Sequence, residues 1–167
     1  MTELTTPRLT LRNFTDGDAA RFRDIVTHPE VGRMLVIYPP DFSLDDARQH
    51  LADNRYNGGL KFRLAIIAQD QVIGSIGCGA GDEPSIFYFL HPDVHGQGFA
   101  SEIVPAFCAM IFARFPINAI KAGVFNDNPR SGRVLLKAGF VATEQGRWKS
   151  AARSDEAEMT FYRLARP

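Results

Sequence analysis

The chain predicts an α+β fold in which a mostly antiparallel sheet carries about four helices. Three observations lead there. Short runs, alternating or wholly apolar and bounded by turn residues, read as strands at Arg8 to Phe14, Lys61 to Ala68, Val72 to Cys78, Ile86 to Leu90, Ile117 to Phe125, Val141 to Trp148 and Glu158 to Leu164. Apolar residues at helical spacing fall between them in a few longer segments. The resulting order, β-α-α-β-β-β-α-β-α-β-β, is mostly hairpins, with one strand-helix-strand passage around a glycine turn.

The elements follow from local chemistry. Thr15 can cap a helix whose buried face is Ala19, Phe22, Ile25 and Val26, with His28-Pro29 as its stop. The double proline keeps Val31 to Phe42 an apolar loop. Ser43 and Asp46 have the spacing of a capping box for a second helix with Leu44, Ala47 and Leu51 inward. Gln69-Asp70 turns one strand into the next. From Phe99, a stripe of Ile103, Val104, Phe107, Cys108, Ile111, Phe112 and Phe115 makes a helix of about four turns. Pro105 lies inside it and predicts a lost hydrogen bond or a kink. Asn128-Pro129 opens the last helix, with Val134, Leu135 and Ala138 inward and Gly139 closing it.

Composition bounds the function. The 167 residues suit one domain, taken as 1–167, with a real core. Lys plus Arg equals Asp plus Glu, so no broad electrostatic footprint for nucleic acid is expected. Cys78 and Cys108 sit in apolar runs without metal-like spacing, and read as buried free thiols of a reducing compartment. No apolar run nears the roughly 20 residues of a membrane span, and the N-terminus lacks a signal-peptide pattern. A cytoplasmic protein, monomeric or homodimeric, is expected, with no metal and no membrane partner.

The chemistry concentrates between Ile86 and Phe115. A buried strand, a turn containing Gly96 and Gly98, and a helix start follow one another. Unpaired N–H groups and the positive helix end make such a place an anion site, most often for phosphate. The same glycines also fit a plain tight turn. A third glycine and a Gly-Lys-Ser/Thr are both missing, so neither a dinucleotide fingerprint nor a phosphate-loop NTPase is indicated.

Four stretches carry a family resemblance: T-P-R-L-T-L-R from Thr6, V-I-G-S-I-G from Val72, F-Y-F-L-H-P from Phe87 with H-G-Q-G-F-A-S-E from His95, and N-D-N-P-R-S-G-R-V-L-L-K-A-G-F from Asn126. In that order and spacing the chain resembles a GNAT-superfamily N-acetyltransferase, most of all the branch of ribosomal-protein N-terminal alanine and serine acetyltransferases. The resemblance covers nearly the whole chain. It implies a GNAT-like single domain with a mixed, mostly antiparallel seven-stranded sheet splayed at its central strands. It also implies acetyl-CoA as cosubstrate, with His95, Gly96, Gln97, Gly98, Phe99 and Ala100 as the pyrophosphate loop. His95 departs from the Gln, Arg or Trp common there. Phe89 and Leu90 are implied to pair their backbone with the pantetheine arm, and Asn128 to touch it.

The implied reaction is transfer of the acetyl group to a primary amine by direct attack in a ternary complex. An α-amino acceptor has a pKa of about 7.7–8.0 against about 10.4 for lysine, so it asks less of a base. The Leu90 N–H is the family-like donor to the oxyanion. The tyrosine many members use for the leaving thiolate is replaced by Leu135, so Ser131, which also neighbours the cofactor arm, becomes the proton donor. The acid usual at the central strand's start is replaced by Ser85; Glu83 and His91 are the substitutes. Glu102 suits the helix dipole. Tyr38 and Trp148 are the candidate acceptor contacts. Three functions follow: an N-terminal protein acetyltransferase, a small-amine acetyltransferase, and a non-catalytic acyl-CoA-binding module. A dinucleotide oxidoreductase stands well behind these.

Overall fold

A computed structural model describes residues 2–167. It contains β1 (Thr2–Thr5), β2 (Thr10–Arg12), α1 (Ala19–Val26), α2 (Pro29–Gly32), α3 (Leu44–Asp53), β3 (Phe62–Ala68), β4 (Gln71–Cys78), β5 (Ile86–Leu90), α4 (Phe99–Arg114), β6 (Ala119–Phe125), α5 (Pro129–Lys137), β7 (Val141–Trp148) and β8 (Ala157–Ala165). The strands form a five-stranded sheet, β1-β2-β3-β4-β5, and a three-stranded sheet, β6-β8-β7, antiparallel within each. The α+β class and the splayed central strands of the sequence reading are both present. Among the described residues the pairing within each sheet is antiparallel, not the parallel βαβ repeat that the dinucleotide-binding alternative needs.

Two elements escaped the sequence. β1 is short and threonine-rich, and pairs with β2 across Thr6-Pro7. α2 begins where a helix stop was expected: Pro29 ends α1 but suits the first turn of the next helix, and the His28 ring accepts from Glu30 N at 3.3 Å. The final strand, β8, lies between β6 and β7, so β7 is the free edge.

The caps behave as their residues dictate. Asp46 Oδ2 accepts from Ser43 N and Oγ while Ser43 Oγ accepts from Asp46 N. Asp18 receives Thr15 N and Oγ1 and an Arg12 ion pair at 2.6 Å. Pro105 sits in α4 at an exposed position, as does Ser101, whose carbonyl has no N–H of residue 105 to accept from.

Strand alternation divides the core in two. Phe62, Leu64 and Ile66 of β3 join Ile103, Phe107 and Ile111 of α4 and Leu135 of α5. On the opposite face Ala65 and Phe89 join Phe22, Ile25 and Val26 of α1, Tyr38, and Ala47 and Leu51 of α3. Both cysteines are buried and free; burial raises Cys78 to about 11 and Cys108 to about 12, which keeps them unreactive thiols.

Candidate active site

The site lies where the sheet comes apart. Lys121 N donates to Pro84 O at 3.0 Å, and a parallel bridge, Ser85–Lys121, touches the two sheets together at the start of β5. Beyond it β5 and β6 part. Their C-terminal ends lead into α4 and α5, so two helix N-termini face the same gap.

Register decides which backbone groups line that gap. His91 N donates to Ile73 O and Gly79 N to Ser85 O, both at 2.8 Å. With Ser75 opposite Phe89 and Ile76 opposite Tyr88, antiparallel alternation turns the N–H and C=O of Phe89 toward β4. Those of Tyr88 and Leu90 turn into the gap. The pairing expected of Phe89 is therefore corrected: β4 occupies its backbone, and Tyr88 takes its place beside Leu90. The Phe89 ring packs on the far side of the sheet against Phe22 and Tyr38.

The glycine turn is built for close approach. Gly96 and Gly98 have φ of 76° and 79°, conformations that side-chain-bearing residues avoid, and Gly98 is the N-cap of α4. His95 has an anchoring role: its Nε2 bonds Leu90 O at 2.9 Å, closing the loop onto the strand end. Arg8 clamps the other side. Its Nη1 donates to Gln97 O at 2.9 Å, its Nε to Glu102 Oε2 at 2.6 Å, and its guanidinium lies 4.6 Å from the centre of the Phe99 ring. Burial would raise the Glu102 carboxyl, but bonds from Thr6 and Arg8 outweigh it and hold it low. Glu102 is thus a structural anchor, as its helix position suggested.

At the start of α5, Asn128 Oδ1 accepts from Ser131 N at 3.3 Å, as a cap should. The Ser131 hydroxyl lies 2.7 Å from the Tyr88 hydroxyl. Burial pushes Tyr88 up to about 12, so it stays protonated. The sequence reading took Tyr88 as strand core; the periodicity of β5 gives no sign that its hydroxyl meets a serine from another element. Leu135, by contrast, is wholly buried.

These pieces border one cavity of about 1200 Å³. Its wall includes the glycine loop, Ser131, the basic face of α5 (Arg130, Arg133, Lys137), and Met34 to Tyr38 from the loop after α2. That loop is strapped from behind by the β7–β8 connection. Ser150 Oγ donates to Leu35 O, Ala151 N to Val36 O at 2.8 Å, and Arg153 Nε to Arg33 O at 2.7 Å. The basic face was legible as an i, i+3, i+7 pattern but was not read as one.

Three candidates fall elsewhere, and a fourth borders the cavity without opening into it. Glu83 is outside the wall; Arg163 and Lys121 bond its carboxylate and hold it near about 2, which makes it a poor base. His91 is outside it too, its Nδ1 accepting from Asp93 N at 3.2 Å and its ring against His28. Burial, then nearby Arg21, pulls its proton affinity down. Trp148 is 51% exposed on the edge strand, packed on Phe161 and away from the cavity. Tyr38 does border the cavity, but it is 2% exposed and its hydroxyl lies 2.9 Å from His50 Nε2. It packs and orients more than it presents.

His50 borders the cavity as well. Burial, then the charge of Arg63, lowers it to about 4. The folded ring stays neutral where the unfolded one, near about 6.5, already binds a proton. Stability is therefore complete above about pH 6.5 and falls as the pH drops toward about 4, by roughly 2 kcal/mol after allowance for partial exposure. Urea midpoints between about pH 7 and pH 5 should fall in the native chain and flatten in His50→Gln.

A gap with two helix N-termini, a basic flank and a hydroxyl pair beside an open strand edge is the architecture of a group-transfer enzyme with an extended anionic cosubstrate. The chain belongs to the GNAT acetyltransferase family: residues 8–141 match the acetyltransferase (GNAT) domain. It is 30% identical over 145 residues to the uncharacterized N-acetyltransferase YoaA of Bacillus subtilis, covering 82% of this chain and 81% of that protein. Among solved structures, the ribosomal L7/L12 α-N-protein acetyltransferase RimL with coenzyme A superposes with a TM-score of 0.83 at 17% identity, over 99% of this chain and 98% of that one. The spermidine N-acetyltransferase of Vibrio cholerae with CoA and spermine gives 0.80 at 18% identity, over 96% of each. The chain is thus an N-acetyltransferase, as its motifs implied. Among the described residues no helix is long and apolar enough to cross a membrane, and no group of three or more His, Cys, Asp and Glu is placed to hold a metal ion.

Proposed function

We propose that the whole chain, as one domain, transfers the acetyl group of acetyl-CoA to a protein N-terminal α-amino group by direct attack in a ternary complex. The observation that carries this is the gap between β5 and β6, with the Leu90 N–H, the Gly96–Gly98 turn and the Tyr88–Ser131 pair along it. The residues present fit acetyl-CoA. The free N–H groups from Gly96 to Ala100 at the α4 start suit the pyrophosphate, and Arg130, Arg133 and Lys137 supply charge for phosphate. The open backbone edge of Tyr88 and Leu90, with Asn128 across from it, suits an amide-bearing arm.

Bound acetyl-CoA supplies an activated thioester. The Leu90 N–H donates to the carbonyl oxygen as charge develops there. Ser131 Oγ would give a proton to the departing sulfur, the Tyr88 hydroxyl would restore it, and Tyr88 would regain its proton from water. A C–N bond forms, the C–S bond breaks, and the amine's surplus proton leaves to water.

Two carboxylates border the cavity: Glu30, which is exposed and has no ion pair among the described residues, and Asp127. His50 and His95 are each engaged through Nε2, and Asp127 is tied up and held low by Arg153 and Arg33. With only the exposed Glu30 left as a carboxylate base, an acceptor already partly neutral near pH 7 is favoured, as an α-amine is. A polyamine would meet Arg33, Lys61 and Arg63 on the same wall. Thiol release should follow peptides with free N-termini and be absent with spermidine and with N-blocked peptides. Turnover on spermidine but not on peptides would replace the acceptor class.

A further inference from the structure

Arg63 is a buried cation that the acetyl-transfer steps above do not use. It is 5% exposed and borders the cavity. Its Nη1 donates to Ser75 Oγ at 3.1 Å, and Ser75 in turn donates to Leu64 O at 3.0 Å. Nε is sealed from solvent with no hydrogen-bond partner. Nη2 has no hydrogen-bond partner either, and it is not fully enclosed. Among the described residues no carboxylate pairs with the guanidinium.

The surroundings are aromatic. The guanidinium carbon is 4.4 Å from the Phe87 ring centre, 5.5 Å from Phe89, 5.7 Å from Phe22 and 5.8 Å from Tyr38. Such faces offset part of the charge but accept no strong N–H hydrogen bond. The arrangement is made by the sheet. Gly77 stands opposite both Arg63 and Phe87, and a Cβ there would come within 2.5 Å of the Phe87 ring, so the glycine opens the space in which ring and guanidinium meet. Burial lowers the proton affinity of Arg63, and the Tyr38 hydroxyl beside it recovers part of the loss.

With Nη1 taken by Ser75 and Nε sealed, Nη2 is the N–H group left open. A guanidinium N–H left open, with no carboxylate beside it, suits a charge-assisted bond to a carboxylate oxygen of the acceptor. Arg63 stands on the α1–α3 face of β3, beside Tyr38, a candidate acceptor contact on the same cavity wall. We propose that the acceptor amine carries a carboxylate, and that Nη2 of Arg63 receives it. The inference rests on the acetyltransferase reading and narrows its acceptor. The carboxylate belongs either to an acidic side chain near a peptide N-terminus or to the α-carboxylate of a free amino acid.

Steady-state rates with acetyl-CoA decide between these. The acceptors are peptides with Asp or Glu at the first two positions, the same peptides with Asn or Gln, and free amino acids beside their amides. The carboxylate form should exceed its amide twin in kcat/KM by about tenfold or more. In Arg63→Met, which fills the site without charge and should fold, acetyl-CoA binding should persist and the preference should vanish. Peptides alone responding assigns the side chain. Free amino acids alone responding assigns the α-carboxylate and overturns the N-terminal reading while keeping this one. Equal rates for acids and amides, or a preference surviving in Arg63→Met, overturns the proposal. Calorimetry with the N-acetylated acidic peptide and CoA asks the same without turnover: tighter binding than the amide twin, lost in Arg63→Met, supports it, and equal binding in the native chain rejects it.

Discussion

Gly98→Glu should abolish acetyl transfer while leaving the fold intact. Two effects act together. The residue sits at φ 79°, where a side chain is strained by roughly 1 kcal/mol or more. Its carboxylate would also stand at the positive start of α4, in the place proposed for a phosphate, and meet Arg8, whose Nη2 is 3.5 Å from the Cβ position. Loss of phosphate contact and added repulsion should weaken acetyl-CoA binding by about a hundredfold or more. Calorimetric titration with acetyl-CoA checks this, with far-UV circular dichroism as the control. Gly98 belongs to an exposed turn, so the spectrum should not change.

Ser131→Ala should lower kcat by about a hundredfold, with the KM for acetyl-CoA nearly unchanged. Tyr88→Phe should give a loss of similar kind, since the two hydroxyls lie 2.7 Å apart and act on one proton. The double variant should be little worse than either single one, because groups that work as a unit do not add. The pH dependence has a definite sign. Tyr88 titrates near about 12, so the donor stays protonated through the neutral range, and kcat should show no alkaline loss from it there. Burial must be kept in mind for Tyr88→Phe: the phenyl ring preserves the packing, so a fall in rate without a fall in melting temperature separates chemistry from stability.

The fold was legible where local chemistry decides it. Ser43 with Asp46, Asn128 with Pro129, and the α4 stripe each announce an element within a few residues. β1 and α2 were missed for opposite reasons: β1 is too short to establish a period, and Pro29 reads as a stop until the chain beyond it is seen to turn. The glycine turn was legible too, because Gly96 and Gly98 serve a backbone need that few other residues meet. The rest of the site depends on long-range pairing. Tyr88 meets Ser131 from 43 residues away, Arg8 reaches Gln97 across 89, and Ser150 holds Leu35 across 115. No spacing encodes such contacts. Glu83 and Trp148 were chosen for residue type and nearness in sequence to the site; ion pairing removes one and an edge position removes the other.

The most direct test of the account is where the acetyl group goes. A peptide with a free N-terminal α-amine, an acidic second residue and one internal lysine should be incubated with the protein and acetyl-CoA, then mapped by tandem mass spectrometry. The account predicts a single acetyl group on the α-amine, with the lysine untouched. An acetyl group on the lysine side chain, or none on a peptide incubated with protein that binds acetyl-CoA, would contradict it.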